Sequence, residues 1–160
     1  MNLWNLKAPL YNLFRKPWPL NRILGRETEN IKTLLQLIPP QEGTALDIGC
    51  GTGRSIKLYK GSINFIGLDG SFNMAKQASQ NTNYPVVVAD ALRPPFSANS
   101  FSLVTAVGLL EYLDDLETFF ANCAAVLKQG GHLLVTGSPS GLFTSLRRVG
   151  GTKIHPRKAD

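Results

Sequence analysis

The chain of 160 residues predicts an α/β fold, in which helices cover both faces of a mainly parallel β-sheet. Strand and helix signals alternate from residue 29 onward, as in repeated strand–helix–strand units. The predicted strands are almost entirely apolar, as at Val86–Val88 and residues 133–135, which is typical of strands that are buried on both faces. The length suits a single domain with one core.

The helices are predicted from apolar spacing and from end signals. Apolar residues recur at helical intervals over residues 29–38, and Pro39 and Pro40 end that helix. A short helix is predicted over residues 54–60, and another runs from the capping residue Ser71 to about residue 80. The last helix starts at a capping box formed by Asp114 and Glu117. A glycine pair at residues 130–131 is predicted to stop it.

The five strands follow from short apolar runs between turn signals. They are predicted at Thr44–Ile48, Asn64–Asp69, residues 85–89, Phe101–Val107 and residues 132–137. Ligands of parallel sheets bind at the carboxyl ends of the strands. The residues that follow each strand are therefore the first place to look for a site.

The most informative stretch follows the first predicted strand. Asp47 precedes three alternating glycines, Gly49, Gly51 and Gly53. Glycine accepts a positive φ and lacks the Cβ that would hold a ligand away, so this spacing indicates a loop against a nucleotide-like ligand. A plain connecting turn is the alternative. Dinucleotide sites use G-x-G-x-x-G instead, which disfavours a nicotinamide-dependent oxidoreductase.

Two acids end the next two predicted strands. Asp69 lies 18 residues after Gly51, where a carboxylate can accept hydrogen bonds from both hydroxyls of a ribose. Asp90 follows the third strand. A turn or capping role is the alternative interpretation for both residues.

Three stretches together resemble the class I S-adenosylmethionine-dependent methyltransferases. Residues 45–54 resemble motif I of that family. Residues 94–104 resemble the "LPF…SFDLV" run of the methyltransferase type 11 group, which includes ubiquinone-biosynthesis methyltransferases, although Ser102 replaces the usual Asp. Residues 108–114 resemble the stretch that runs beside the methionine half of the cofactor. The resemblance covers about residues 29–139.

The resemblance implies a Rossmann-like three-layer sandwich with strand order 3-2-1-4-5, without the family's final strands 6 and 7. It implies S-adenosylmethionine as the cofactor and no metal. Candidate catalytic residues are Glu111 and Tyr112, and a structural role for Glu111 is equally consistent. The cofactor-binding residues that it implies are Asp47, Gly49, Cys50, Gly51, Gly53, Asp69, Gly70, Asp90, Ala91, Leu92, Val107 and Gly108. Residues 88–92 also resemble a motif of the family, and this implies that Asp90 accepts a hydrogen bond from the adenine amino group.

The net charge of +6 is concentrated in the flanks. Residues 1–40 and 141–160 each carry an excess of four positive charges, whereas the hundred residues between them carry an excess of two negative charges. We therefore divide the chain into a basic, aromatic helical segment (residues 1–28), a cofactor domain (29–139) and a basic tail (140–160). The first segment, with Trp4, Phe14 and Trp18, is interpreted as a lid or as a helix packed on the sheet.

The leading functional hypothesis is methyl transfer to a small-molecule or lipid-like acceptor. A cofactor-binding module without activity and an RNA-directed methyltransferase are the alternatives, and no RNA-binding module is recognisable. The basic flanks predict peripheral contact with an anionic membrane surface. The unpaired edge of the fifth strand predicts a homodimer. The sequence shows no signal peptide, and Cys50 and Cys123 lack disulfide spacing, so we expect a cytoplasmic location.

Overall fold

The structure is a computed structural model that describes residues 20–39, 42–59 and 63–137. Its framework is a five-stranded parallel sheet. The strands lie in the order β3-β2-β1-β4-β5, and every neighbouring pair is parallel. The α/β class and the strand order that the sequence predicted are therefore confirmed. The strands are β1 (Thr44–Ile48), β2 (Asn64–Asp69), β3 (Val86–Val88), β4 (Phe101–Val107) and β5 (Leu127–Thr136).

Three helices and two 3₁₀ turns accompany the strands in the described part of the chain. The helices are α1 (Leu20–Leu37), α2 (Phe72–Thr82) and α3 (Leu116–Val126), and the 3₁₀ turns lie at Ile56–Leu58 and Leu110–Tyr112. The sequence correctly placed Ser71 at the start of α2, where its hydroxyl accepts a hydrogen bond from the Met74 amide at 3.3 Å. This bond satisfies one of the free N–H groups of the first helical turn.

Helix α3 covers one face of the sheet. Phe119 and Cys123 on this helix are fully buried and pack against Leu46, Ile48 and Val104 of the central strands. Phe101 lies in the same cluster and makes an edge-to-face contact with Phe96 of the preceding loop, with ring centroids 5.1 Å apart. This cluster fixes the ends of β1 and β4, from which the site is built.

Helices α1 and α2 cover the opposite face. Ile31 and Leu35 of α1 pack against Leu134 of β5. Ala78 of α2 packs in a second cluster with Phe65 of β2. The two faces give the three-layer arrangement, because successive residues of a strand point to opposite sides of the sheet.

The structure corrects two of the predicted helices. Helix α1 runs over Leu20–Leu37. It therefore joins the end of the segment that was predicted to be helical up to residue 28 with the helix predicted over residues 29–38. Residues 54–58 form turns and a 3₁₀ segment where a helix was predicted. This connection is too short to offset the cost of starting an α-helix.

The boundary between α3 and β5 also differs from the prediction. Helix α3 ends at Val126, and β5 passes through the glycine pair that was expected to stop the helix. Three residues of β4, from Phe101 to Leu103, are matched by six residues of β5, from Leu127 to His132. Gly130 has a φ of 76° in this irregular stretch, as expected where a glycine permits a bulge.

The start of α3 is capped by a different acid. Asp115, rather than Asp114, is the N-cap, and its two carboxylate oxygens accept hydrogen bonds from the backbone amide and the hydroxyl of Thr118. Among the apolar residues of α3, Phe119 and Cys123 are buried, whereas Leu116 and Phe120 are exposed. Strand β3 is also slightly shorter than predicted.

The flanks lie mostly beyond the described part of the chain. The proposed aromatic residues of the N-terminal segment and the basic tail fall within residues 1–19 and 138–160. Helix α1 runs continuously across the boundary that the sequence analysis set at residue 28. Within residues 20–39, 42–59 and 63–137, no helix is long and apolar enough to cross a membrane.

Candidate functional site

A cavity of about 350 Å³ opens at the carboxyl ends of the parallel strands. Its wall is formed by the loop after β1, the end of β2 with the start of α2, the end of β3, and the loop after β4. This size is in the range of small-molecule and cofactor sites. The lining residues are Gly49, Gly51, Leu68, Asp69, Gly70, Ser71, Met74, Val88, Ala89, Asp90, Ala91, Gly108, Leu109 and Tyr112.

Gly51 presents bare backbone to this cavity. Its φ is 55°, and a Cβ built on it would meet no atom within 4 Å. An L-residue resists this left-handed conformation, and any side chain here would project into the open space of the cavity. The position is therefore shaped for close approach of a ligand to the main chain.

Gly53 is required for a different reason. A Cβ at this position would lie 2.5 Å from Cγ2 of Thr82 and 3.4 Å from the backbone of Ala78. Both of these residues belong to α2, and Gly53 does not line the cavity. The third glycine of the loop thus allows α2 to pack closely.

Asp69 connects the glycine loop to the start of α2. Its Oδ2 accepts a hydrogen bond from the Gly51 amide at 2.8 Å, and its Oδ1 accepts one from the Ser71 amide at 2.8 Å. Burial raises the pKa of Asp69, and the two amide hydrogen bonds oppose this shift. Each carboxylate oxygen can accept a further hydrogen bond from a ligand, because a carboxylate offers about four acceptor sites.

Asp90 lies at the far end of the cavity, beyond β3. Its Oδ1 accepts a hydrogen bond from the Leu92 amide at 2.9 Å, and the residue is exposed. Ala91 beside it is buried and lines the cavity, whereas Leu92 packs against the α3-side core. The Asp90 carboxylate therefore remains available to a donor group at this end.

The loop after β4 closes the remaining wall. Gly108 has a φ of 63° and open space at its Cβ position. Its amide donates to Thr136 of β5, and the following 3₁₀ turn places Leu109 and Tyr112 in the cavity wall. Glu111 is half-buried and is not a lining residue.

Asp47 lies behind the cavity rather than in its wall. It is fully buried, and its carboxylate accepts hydrogen bonds from Oγ of Ser55 at 2.5 Å and from Oγ1 of Thr105 at 2.6 Å. Burial raises the pKa of Asp47 to about 6, although the two hydroxyl hydrogen bonds oppose this shift and the charge of Asp69 adds to it. The acid of the glycine motif thus faces the interior of the protein.

Two further residues of the predicted cofactor set also belong to the core. Cys50 is buried on the α2 side, where its Sγ would be 2.9 Å from a Cβ on Gly67. Burial raises the pKa of the Cys50 thiol far above its usual range. Val107 packs on the α1 side of the sheet, and neither residue lines the cavity.

The cavity wall contains residues that the sequence analysis did not single out. Ser71, Met74, Val88 and Leu109 all lie in it. Ser71 had been recognised as a helix cap, and Met74 lies three residues further on the same helix face. Val88 and Leu109 lie within residues 88–92 and 108–114, two stretches that resemble family motifs, although neither was named as a site residue.

The comparisons with known proteins agree with this geometry. Residues 46–135, more than half of the chain, match the family described as "Methyltransferase domain". The chain belongs to this family. Its members are the class I S-adenosylmethionine-dependent methyltransferases that the three motifs resemble, and S-adenosylmethionine is the family's cofactor.

Individual relatives support the same assignment. The chain is 34% identical over 133 residues to the demethylmenaquinone methyltransferase of Corynebacterium kroppenstedtii, covering 80% of this chain and 58% of that protein. The fold of the present protein is similar to the fold of a chain in the complex between the Haloferax volcanii Trm112 methyltransferase activator and the candidate methyltransferase. That match has a TM-score of 0.72 and 24% identity, and it covers 84% of this chain and 60% of the other.

A second solved structure shares the fold at lower identity. It is the geranyl diphosphate C-methyltransferase of Streptomyces coelicolor in complex with Mg²⁺, geranyl diphosphate and S-adenosyl-L-homocysteine. The TM-score is 0.65 with 18% identity, and the match covers 81% of this chain and 55% of that one. The chain thus spans between half and three fifths of the length of these three relatives.

The cavity fits the family's cofactor on two observations. A Cβ at Gly51 or Gly108 would extend into open space, so bare backbone borders the cavity on two sides. Between these glycines and Asp90, Asp69 offers a carboxylate whose oxygens are oriented by two amides. Acceptors for ribose hydroxyls and for an amine thus lie along one cavity.

Proposed function

We propose that this protein is an S-adenosylmethionine-dependent methyltransferase that acts on a small-molecule or lipid-like acceptor. The observation that carries the proposal is the joint placement of Gly51, Asp69 and Asp90 along one cavity at the strand ends. The cofactor, when bound, supplies a methyl group on a sulfonium centre for direct displacement by an acceptor nucleophile. The protein's own tasks are therefore alignment and exclusion of water.

We assign each group in the cavity wall to one part of the cofactor. In our proposal, Asp90 accepts a hydrogen bond from the adenine amino group, with Ala91 and Val88 against the ring. Asp69 accepts hydrogen bonds from the ribose hydroxyls. The backbone at Gly49, Gly51, Gly70 and Gly108 borders the remainder, and Leu92, Cys50, Gly53 and Val107 support the wall from the core.

The acceptor is proposed to enter beside Leu109 and Tyr112. These residues form the wall after β4, and Tyr112 is the one of the two that carries a hydroxyl. We propose Tyr112 as a substrate-orienting residue. We propose Glu111, which precedes Tyr112, as the second candidate catalytic residue, with the role of a base.

Two relatives support a lipid-like acceptor. The names of the Corynebacterium kroppenstedtii and Streptomyces coelicolor proteins refer to demethylmenaquinone and geranyl diphosphate. Both compounds carry isoprenoid chains.

A methyl-transfer assay tests this proposal. The full chain is incubated with S-adenosylmethionine labelled in its methyl group and with demethylmenaquinone or geranyl diphosphate, and label is measured in the extracted acceptor. We expect transfer to one of them, and loss of most of that transfer at low cofactor concentration in Asp69→Ala. The matched control is Asp115→Ala, which removes an equally hydrogen-bonded carboxylate outside the cavity.

Cofactor binding with label transfer to neither acceptor would contradict this acceptor class. That result would favour the alternative of a binding module without activity. Transfer of label to RNA instead would favour the RNA-directed alternative.

We also propose a cytoplasmic location and two partners. Cys50 and Cys123 are both free and buried, which agrees with a reducing compartment.

The basic and aromatic N-terminal segment is proposed to contact anionic membrane surfaces, and salt-sensitive sedimentation with anionic vesicles tests this. The edge of β5, which pairs with β4 alone among the described strands, is proposed as a homodimer contact.

A further inference from the structure

We propose that Asp47 is a positioning residue, which fixes the glycine loop against the end of β4 without contacting the cofactor. This inference rests on the proposed function, because the property that Asp47 is meant to set is cofactor affinity. It differs from the role that the motif alone suggested, in which the acid belonged to the cofactor contacts.

The position of Asp47 excludes it from the cavity wall. It is the second-last residue of β1, and none of its surface is exposed. The lining begins two residues later, at Gly49. A ligand in the cavity therefore meets the loop that Asp47 precedes and not its carboxylate.

The hydrogen bonds of Asp47 reach both elements that border this part of the cavity. Ser55 follows the three glycines and Asp47 precedes them. The hydrogen bond from the Ser55 hydroxyl to Oδ2 of Asp47 therefore joins the two ends of the loop that contains residues 49–53. Thr105 is the register partner of Asp47 on β4, and its bond to Oδ1 lies three residues before Gly108. One carboxylate thus holds the two backbone segments that carry the open glycines Gly51 and Gly108.

The arrangement is costly, which favours a role beyond filling space. A buried carboxylate loses the hydration that stabilises its charge, and two hydroxyl donors restore part of it. The charge of Asp69, on the neighbouring strand β2, is repulsive and raises the pKa of Asp47 further. The Cys50 thiol, on the chain beyond β1, is another titratable neighbour. An apolar residue would avoid the cost but could not bind Ser55 and Thr105.

The test compares cofactor affinity with stability in variants of the two hydroxyl donors. Affinity for S-adenosylhomocysteine is measured by calorimetry, and stability by urea unfolding, for wild type, Ser55→Ala and Ser55→Thr. We expect Ser55→Ala to weaken binding about tenfold, as for loss of a hydrogen bond to a charged group. Ser55→Thr keeps the hydroxyl and is expected to stay within about twofold of wild type.

A matched control separates positioning from a general loss of stability. Ser102 lies at the other end of β4, where its hydroxyl donates to the carbonyl oxygen of Glu42 at 2.6 Å. Ser102→Ala removes a similar bond far from the cavity, and we expect lower stability with unchanged affinity. The pair Thr105→Val and Thr105→Ser repeats the comparison on β4, with affinity lost only in the valine variant.

The outcomes distinguish this inference from the proposed function. If wild type binds S-adenosylhomocysteine and Ser55→Ala binds it equally well while losing stability, Asp47 has only a structural role and the inference is overturned. If wild type does not bind S-adenosylhomocysteine, the proposed function fails, and the inference fails with it.

Discussion

At the scale of single residues, two neighbouring glycines of one loop serve different purposes. Gly51 lies against open space in the cavity, whereas Gly53 lies against α2. A motif that is usually treated as one ligand-binding unit therefore divides into a residue that faces the ligand and a residue that permits packing. Substitutions at the two positions should affect affinity and stability differently.

The first prediction concerns Gly51. Gly51→Ala places a methyl group in the cavity, and we expect it to weaken S-adenosylhomocysteine binding by at least about tenfold. The matched control is Gly130→Ala on β5, where φ is also positive and a Cβ also meets no atom within 4 Å. Both variants carry a similar backbone strain of about 1–2 kcal/mol, so only the position relative to the cavity differs. Equal affinities in the two variants would remove Gly51 from the site.

The second prediction follows from the raised pKa of Asp47. Its pKa rises from 3.8 to about 6 in the folded protein, mainly through burial. Between these values the folded state binds a proton that the unfolded state has released, so stability falls as the pH rises from about 4 to about 6. A shift of about two units corresponds to about 3 kcal/mol.

Urea unfolding at several pH values measures this effect. Asp47→Asn should remove that part of the decline, while the contribution of Asp69, whose pKa shifts in the same direction, persists in both proteins. Identical pH dependence in wild type and Asp47→Asn would contradict the assignment of the shift to Asp47.

The sequence predicted where the site residues lie along the chain but not where their side chains point. Asp69 and Asp90 follow strands whose ends meet at one sheet edge, so the pattern was sufficient to bring them to the cavity. Asp47 is the second-last residue of its strand, yet its carboxylate faces inward, where Ser55 and Thr105 offer hydroxyls. No spacing rule indicates a pair of donors that are 8 and 58 residues away in the sequence.

At the scale of elements, α3 is the helix whose packing fixes β1 and β4. Phe119 is fully buried at its centre, whereas the adjacent Phe120 is 39% exposed. We expect Phe119→Ala to lower the free energy of unfolding by about 3–5 kcal/mol, as for other buried aromatic residues. Phe120→Ala, the matched control, should cost about 1 kcal/mol because much of its ring already contacts water. Similar losses measured by urea unfolding would show that α3 is rotated relative to the described packing.

Element boundaries were predicted well where local signals agree and poorly where glycine had two interpretations. Strands β1, β2 and β4 begin and end as predicted, because apolar runs and turn residues coincide. The glycine pair at 130–131 was interpreted as the end of a helix, but it lies inside β5. Pairing with β4 and packing on the sheet outweigh the low intrinsic propensity of these glycines.

At the scale of the whole molecule, β5 is the edge of the described sheet beyond β4. Leu133 on this strand is 39% exposed. If the edge joins two copies of the chain, light scattering should show a dimer at high concentration, and Leu133→Lys should favour the monomer. Leu37→Lys, which changes another exposed leucine at the end of α1, is the control. A concentration-independent monomer in wild type would contradict this contact.

The central claim is that the cavity at the strand ends binds S-adenosylmethionine and its product. Calorimetric titration of the full chain with S-adenosylhomocysteine, and separately with NAD, tests it most directly. The account predicts saturable binding of S-adenosylhomocysteine with one molecule per chain and no binding of NAD, because the loop spacing provides no pyrophosphate site. Binding of NAD without binding of S-adenosylhomocysteine would contradict it.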